Sequence, residues 1–181
     1  MLSRSVTHQQ LSDAVKSRHG MLDRNPCLSV LLTVNVTVAD YARALQLLHD
    51  CFMLLEPVVT GYEKTGHVNG LEPWIPRLPA IYADLQSLGV HVDITPDPIP
   101  GILSDQPGHY LGIRYVLEGA TQGGVHIAAC LGERLPALKR SAFRYWSLQQ
   151  VLATNWPAFL DVLAGLDNDT VAREQAVAAA I

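Results

Sequence analysis

Two sets of residues in this chain have types and spacing that could do chemistry. The first is His19 with Asp23 four residues on, one helical turn away and so on the same face. A carboxylate on one ring nitrogen fixes the tautomer of the imidazole and raises its basicity, as a metal-ligating histidine requires. The same pair also serves as a plain structural contact, and its spacing fits both uses. The second set lies in Tyr110 to Cys130, YLGIRYVLEGATQGGVHIAAC, an apolar stretch with helical spacing that holds Gly112, Gly119, Gly123 and Gly124. Gly112, Val116, Gly119, Gly123 and Ile127 recur at steps of four, three, four and four and share one helix face. Each glycine inside a helix costs about 0.8 to 1 kcal/mol relative to alanine, so Gly119, Gly123 and Gly124 together forgo about 2 to 3 kcal/mol. Close approach must offset that loss, either by a crossing helix or by a flat ligand lying on bare backbone.

The elements that must position these residues read as helices. Leu11, Val15 and Leu22 form one stripe with His19 between them, which predicts that His19 points inward. Thr37 opens a T-x-x-D capping box with Asp40, followed by Tyr41, Leu45, Leu48, Phe52 and Leu55 at helical steps. Leu78, Ile81, Leu85 and Leu88 predict another helix, as does the alanine-rich stretch from Asp169 to Ile181. Val34, Val36 and Val38 alternate with polar residues like a strand, and so does GVHVDI from Gly89 to Ile94. Two such strands are marginal by themselves, so the helical assignment is preferred to an α+β hairpin. Gly61 to Pro73, with Glu63 and His67, reads as a solvated loop, and Pro96 to Pro107 as a long connection into the glycine-rich helix.

With 181 residues and 49% hydrophobic content, residues 1–181 make one domain with a single core. A net charge of -4, with no basic run longer than Lys139-Arg140, argues against a nucleic-acid partner. Cys27, Cys51 and Cys130 lack CxxC spacing and sit at apolar positions, which predicts buried reduced thiols. The N-terminus carries no apolar leader and no run approaches a membrane span, so a soluble cytoplasmic protein with no membrane association is expected. GxSxG, P-loop, HExxH and GxGxxG motifs are absent, as are the paired Glu-x-x-His motifs of a di-iron site. Glu118 reads as a surface or salt-bridge residue with no catalytic role.

YVLEGATQGG, from Tyr115 to Gly124, resembles the distal-helix motif YVLEGS-x-LGG of bacterial haem oxygenases of the biliverdin-producing, bacteriophytochrome-associated type. Ala120 stands for the usual serine and Gln122 for the usual leucine. LSDAVKSRHGMLDRNPCL is similar to the family's proximal helix, L-xxx-T-xxx-H-xx-L-[DE]-xx-P, with Leu11, His19, Leu22, Asp23 and Pro26 in register and Val15 for the threonine. The resemblance implies an all-α, haem oxygenase-like single-domain helical bundle that holds haem as both substrate and cofactor. It implies His19 as the iron ligand and, with Gly119 and Gly123, as the catalytic set. Asp23, Tyr115, Ala120, Gly124 and Arg144 join them as implied haem-binding residues. Arg144 belongs to a basic and aromatic cluster with Lys139, Arg140, Tyr145 and Trp146, in which such residues hold the propionates. His8 offers a rival H-x-x-L, but it lies eleven residues earlier, about 16 Å along a helix, and lacks the carboxylate and proline. The implied products are biliverdin, carbon monoxide and free iron. The implied partners are an electron donor such as ferredoxin or a reductase, and a bacteriophytochrome that receives biliverdin. Two alternatives stand beside this: a non-catalytic haem carrier of the same fold, favoured by Ala120 and Gln122, and a haem-free relative of the thiaminase-like branch.

Overall fold

The computed structural model describes residues 5–64, 66, 68–92 and 106–181, and every regular element among them is helical. The protein is an all-α helical bundle. The helices are α1 (Val6–Asp23), α2 (Pro26–Ser29), α3 (Val38–Glu63), α4 (Leu78–Ser87), α5 (Pro107–Arg134), α6 (Leu138–Ser141), α7 (Arg144–Leu152), α8 (Trp156–Ala164) and α9 (Thr170–Ala179). Short 3-10 turns at Val30–Leu32, Ala153–Asn155 and Gly165–Asn168 join some of them. No helix among the described residues is long and apolar enough to cross a membrane.

Local chemistry starts and stops these helices where the sequence suggests. Thr37 and Asp40 form the full capping box: the Thr37 hydroxyl accepts from the Asp40 amide at 3.1 Å, and the Asp40 carboxylate accepts from the Thr37 amide at 2.9 Å. The Thr37 hydroxyl, which donates to the Asp40 carboxylate at 2.6 Å, and after it the Thr37 amide hold that carboxyl below its usual range. Val34 is exposed in the turn before this cap and Val38 begins the helix, so the strand-like alternation never meets a partner. At the end of α4, Gly89 takes a φ of 73°, while the Val90 amide reaches back to the Leu85 carbonyl at 2.9 Å. This left-handed cap begins the GVHVDI stretch as a helix stop. Asp93 and Ile94, with most of the Pro96 to Pro107 connection, lie outside the described residues, as does His67.

Three other helix starts are capped by acidic residues from distant parts of the chain. Asp167 accepts from the Val6 amide at 3.2 Å and from the Thr7 amide and hydroxyl at 2.9 and 2.7 Å, closing the start of α1 against the C-terminal region. Glu56, inside α3, accepts from the amides of Arg77 and Leu78 at the start of α4. Asp84, fully buried on α4, accepts from the amides of Arg144 and Tyr145 at 3.0 and 2.9 Å, at the start of α7. Each places a carboxylate on otherwise orphaned N–H groups at the positive end of a helix dipole.

The central helix is α5, which packs on α9, α7, α3 and α8. Its N-terminal glycines make a tight crossing. A Cβ at Gly108 would strike the Ala172 carbonyl, and one at Gly112 the Ala176 carbonyl, both backbone atoms of α9. Overpacking of this kind typically costs 1 to 3 kcal/mol. Gly112→Ala should therefore lower the unfolding free energy by about that amount, despite alanine's better helix propensity. Urea unfolding followed by circular dichroism checks it, and an unchanged midpoint would show that α9 is not held at this distance.

Candidate functional site

Along α5 the glycine face changes partner from one end to the other. Gly112 is filled by α9. One turn further, Val116 is 40% exposed. At Gly119 an added Cβ would lie 3.4 Å from the indole Cη2 of Trp156, an ordinary contact. At Gly123 it would meet nothing within 4 Å among the described residues. The two explanations of the glycines thus divide along one helix: the crossing explanation holds at Gly108 and Gly112, and it does not account for Gly123. Ala120 is exposed beside this open stretch. Gly124 turns the other way and is buried against α7, where its Cβ would stand 3.1 Å from that of Gln149.

Trp156 anchors an aromatic cluster at the covered part of that face. Its ring centroid lies 5.4 Å from Tyr115, 5.7 Å from Phe159 and 6.2 Å from His8, and His8 in turn stands edge-on to Tyr115 at 5.9 Å. Tyr115 is buried there, and His8 is engaged in ring packing. Gln122 ties the same region together: its carboxamide donates to the Ala153 carbonyl at 3.0 Å, in the turn that delivers Trp156.

His19 departs from the sequence expectation. Its side chain is 67% exposed, and the buried residues of α1, Thr7 and Leu11, both lie in the helix's first half. The inward direction predicted from the stripe is corrected: Met21 and Leu22 are exposed too, at 68% and 51%. The pairing with Asp23 is present, with Nδ1 of His19 3.0 Å from the Asp23 carboxylate. That contact assigns the proton to Nδ1 and leaves Nε2 as the nitrogen able to bind a metal.

Arg144 is half exposed, with its Nη1 bonded to Asp84 at 3.1 Å, Ser87 at 3.2 Å and the Ser141 carbonyl at 3.0 Å. Its bonds run to α4 and to the end of α6, whereas Lys139 lies across Gly132, about two and a half turns along α5 from Gly123 and so on its opposite face. The basic residues are thus not gathered on the open glycine face by any of these contacts. The cysteines also differ from expectation: Cys51 is exposed, and Cys27 and Cys130 are partly so.

Sequence reasoning allowed Glu118 a salt bridge, which is present, but missed its burial and the extent of the charged centre around it. Glu118 is buried and accepts from Arg77 Nη2 at 2.9 Å and from Arg114 Nη2 at 2.6 Å. Arg77 stacks on Trp74, its guanidinium 3.6 Å from the ring centroid, and burial pushes its pKa down. Burial likewise pushes the Glu56 carboxyl up, against the pull of its bonds to the Arg77 and Leu78 amides. Glu63 is no solvated loop residue: it accepts from the Trp74 amide at 2.8 Å, from the Tyr110 hydroxyl and from Arg114. The Tyr110 hydroxyl is pushed up by burial first and by that bond second. A cavity of about 70 Å³ adjoins this network, lined in part by Arg77, Arg114, Glu118, Asn155 and Phe159. Ligand pockets run to about 300 to 1,000 Å³, so this space is no seat for a macrocycle.

Compared with known proteins, the chain is 35% identical over 104 residues to a protein of Xanthomonas campestris pv. campestris (strain 8004) named heme oxygenase. The aligned part is 58% of this chain and 60% of that relative, so about three fifths of the relative's length is spanned. The similarity supports kinship with haem oxygenases, and the all-α bundle is consistent with that name. No family model matches, and no solved structure does.

Glu118→Gln removes the charge that two buried arginines share. Breaking a buried pair from one side costs about 3 to 5 kcal/mol, so this change should be among the most destabilising single substitutions in the chain. Thermal or urea unfolding measures it, and a loss under about 1 kcal/mol would show that the arginines are compensated elsewhere.

Proposed function

We propose that this protein binds haem and cleaves it oxidatively to biliverdin, carbon monoxide and free iron, using oxygen and an external electron donor such as a ferredoxin or a reductase. The observation that carries this is the bare backbone at Gly123, in a helix whose N-terminal glycines are filled by neighbouring chain. The similarity to a protein named heme oxygenase gives that opening its occupant. Haem suits both kinds of residue present: a basic imidazole nitrogen for the iron and a flat surface free of side chains for the ring.

Bound haem would supply the redox chemistry and would itself be the substrate whose ring is cut. This chain's residues hold and orient it. His19 is the iron ligand through Nε2, and Asp23 accepts from Nδ1–H, fixing the tautomer and strengthening the imidazole as a donor. Gly123 lets the ring or a small diatomic come close to the backbone of α5, where a side chain would displace one or the other. Ala120 places a methyl where the resembled family carries a hydroxyl, so no side-chain donor is offered from that position. A haem carrier that does not cleave its ligand is the second reading, and Ala120 is the observation that favours it. A bacteriophytochrome as recipient of biliverdin, and a cytoplasmic location, belong to the same proposal.

Hemin added to the protein should give a Soret band with a histidine-ligated spectrum, lost in His19→Ala and retained in His8→Ala. With reductant and oxygen, and catalase present to remove free peroxide, that band should decay as biliverdin absorption grows. Asp23→Asn should slow turnover by about 10- to 100-fold. A complex that persists through many turnover times would overturn cleavage in favour of the carrier, and ligation that follows His8 would overturn the assignment of the iron.

A further inference from the structure

We propose that Trp156 sets the seat of the macrocycle on α5, and thereby its rotation and the bridge carbon that is presented for cleavage. This rests on the haem binding proposed above and adds a specificity-determining residue to it. The face of α5 is open at Gly123 and covered at Gly119, and the cover is the edge of the Trp156 indole, 3.4 Å from where a Gly119 Cβ would stand. A flat ring laid on this face meets that edge before it reaches Gly119. It is therefore seated towards Gly123 and Ile127, with the indole as a wall along one side.

The wall is held from several directions. Phe159 stacks on the indole with an interplanar angle of 20°, Tyr115 leans on it at 47°, and His8 stands perpendicular at 90°. The turn before it is tied to α5 by the Gln122 carboxamide, which donates to the Ala153 carbonyl at 3.0 Å. An aromatic plane packed this way has few alternative rotamers. Gln122, exposed in the glycine segment itself, acts through that tie as a positioning residue and not as a donor to the ligand. A macrocycle of near fourfold outline has little shape of its own to select a rotation, so a rigid wall on one side is a means of selecting one.

The test compares wild type with Trp156→Ala, Trp156→Phe and Gln122→Leu, each first checked for folding by the melting curve of the ligand-free protein. Iron-free protoporphyrin IX and hemin are titrated by absorbance, the induced circular dichroism of bound protoporphyrin reports its orientation, and biliverdin isomers are separated by chromatography. Trp156→Ala should change porphyrin affinity and the ratio of isomers by about 3- to 10-fold, the scale of one lost aromatic contact. Trp156→Phe and Gln122→Leu should shift the same quantities in the same direction by less. Should Trp156→Ala fail to fold, these two variants carry the test. Unchanged affinity, dichroism and isomer composition in the folded variants would overturn the role of Trp156 while leaving haem binding intact. Absence of porphyrin or hemin binding by wild type would overturn the haem proposal and this one with it. If wild type binds without cleaving, affinity and dichroism still decide.

Discussion

Everything in this bundle is arranged around a helix that lacks side chains along part of one face. A glycine stripe is unfavourable for α5 by itself, and the fold compensates by bringing neighbours to backbone distance. The carbonyls of Ala172 and Ala176 close the stripe at Gly108 and Gly112, and the edge of Trp156 covers Gly119. At Gly123 the compensation stops, because nothing among the described residues stands within 4 Å of the missing Cβ. One helix thus uses the same residue type for two purposes: close packing at Gly108, Gly112 and Gly124, and an unfilled approach at Gly123.

Buried charge keeps that helix in place. Glu118 lies one residue before Gly119 and is gripped by Arg77 from the start of α4 and by Arg114 one turn back on α5. Arg77 is held in turn by its stack on Trp74, and its own amide caps onto Glu56 of α3. The glycine segment is thereby referenced to α3 and α4 by bonds that would leave buried ions unpaired if broken. Carboxylate caps repeat the device at larger scale, with Asp84 fixing α7 to α4 and Asp167 fixing α1 to the C-terminal region. α1 is buried at Thr7 and Leu11 near its N-terminal end, while His19 and Asp23 are exposed near the other.

Local signals were legible in the sequence and distant ones were not. The Thr37–Asp40 box, the His19–Asp23 pair and the helical period of Tyr110 to Cys130 depend on residues within one or two turns, and each is present. The direction of His19 is another matter. Periodicity groups Leu11, Val15, His19 and Leu22 on one stripe but cannot say whether another element covers it, and only the Leu11 end is covered. Glu63 looked solvated because its neighbours in sequence are polar, whereas its partners Tyr110 and Arg114 lie 47 and 51 residues away. The Asp84 cap spans 60 residues in the same way, and a lone aspartate in an apolar helix was its sole trace. The glycines carried the most information, although their spacing could not separate the crossing at Gly112 from the opening at Gly123.

The most direct measurement is a comparison of Gly123→Ala with wild type, reading ligand-free stability and haem turnover on the same preparations. Because the added methyl meets no described neighbour, helix propensity should raise stability by about 0.5 to 1 kcal/mol, while biliverdin formation per folded molecule should fall. A destabilised protein with normal turnover per folded molecule would contradict the claim that this stretch of backbone is left bare for haem.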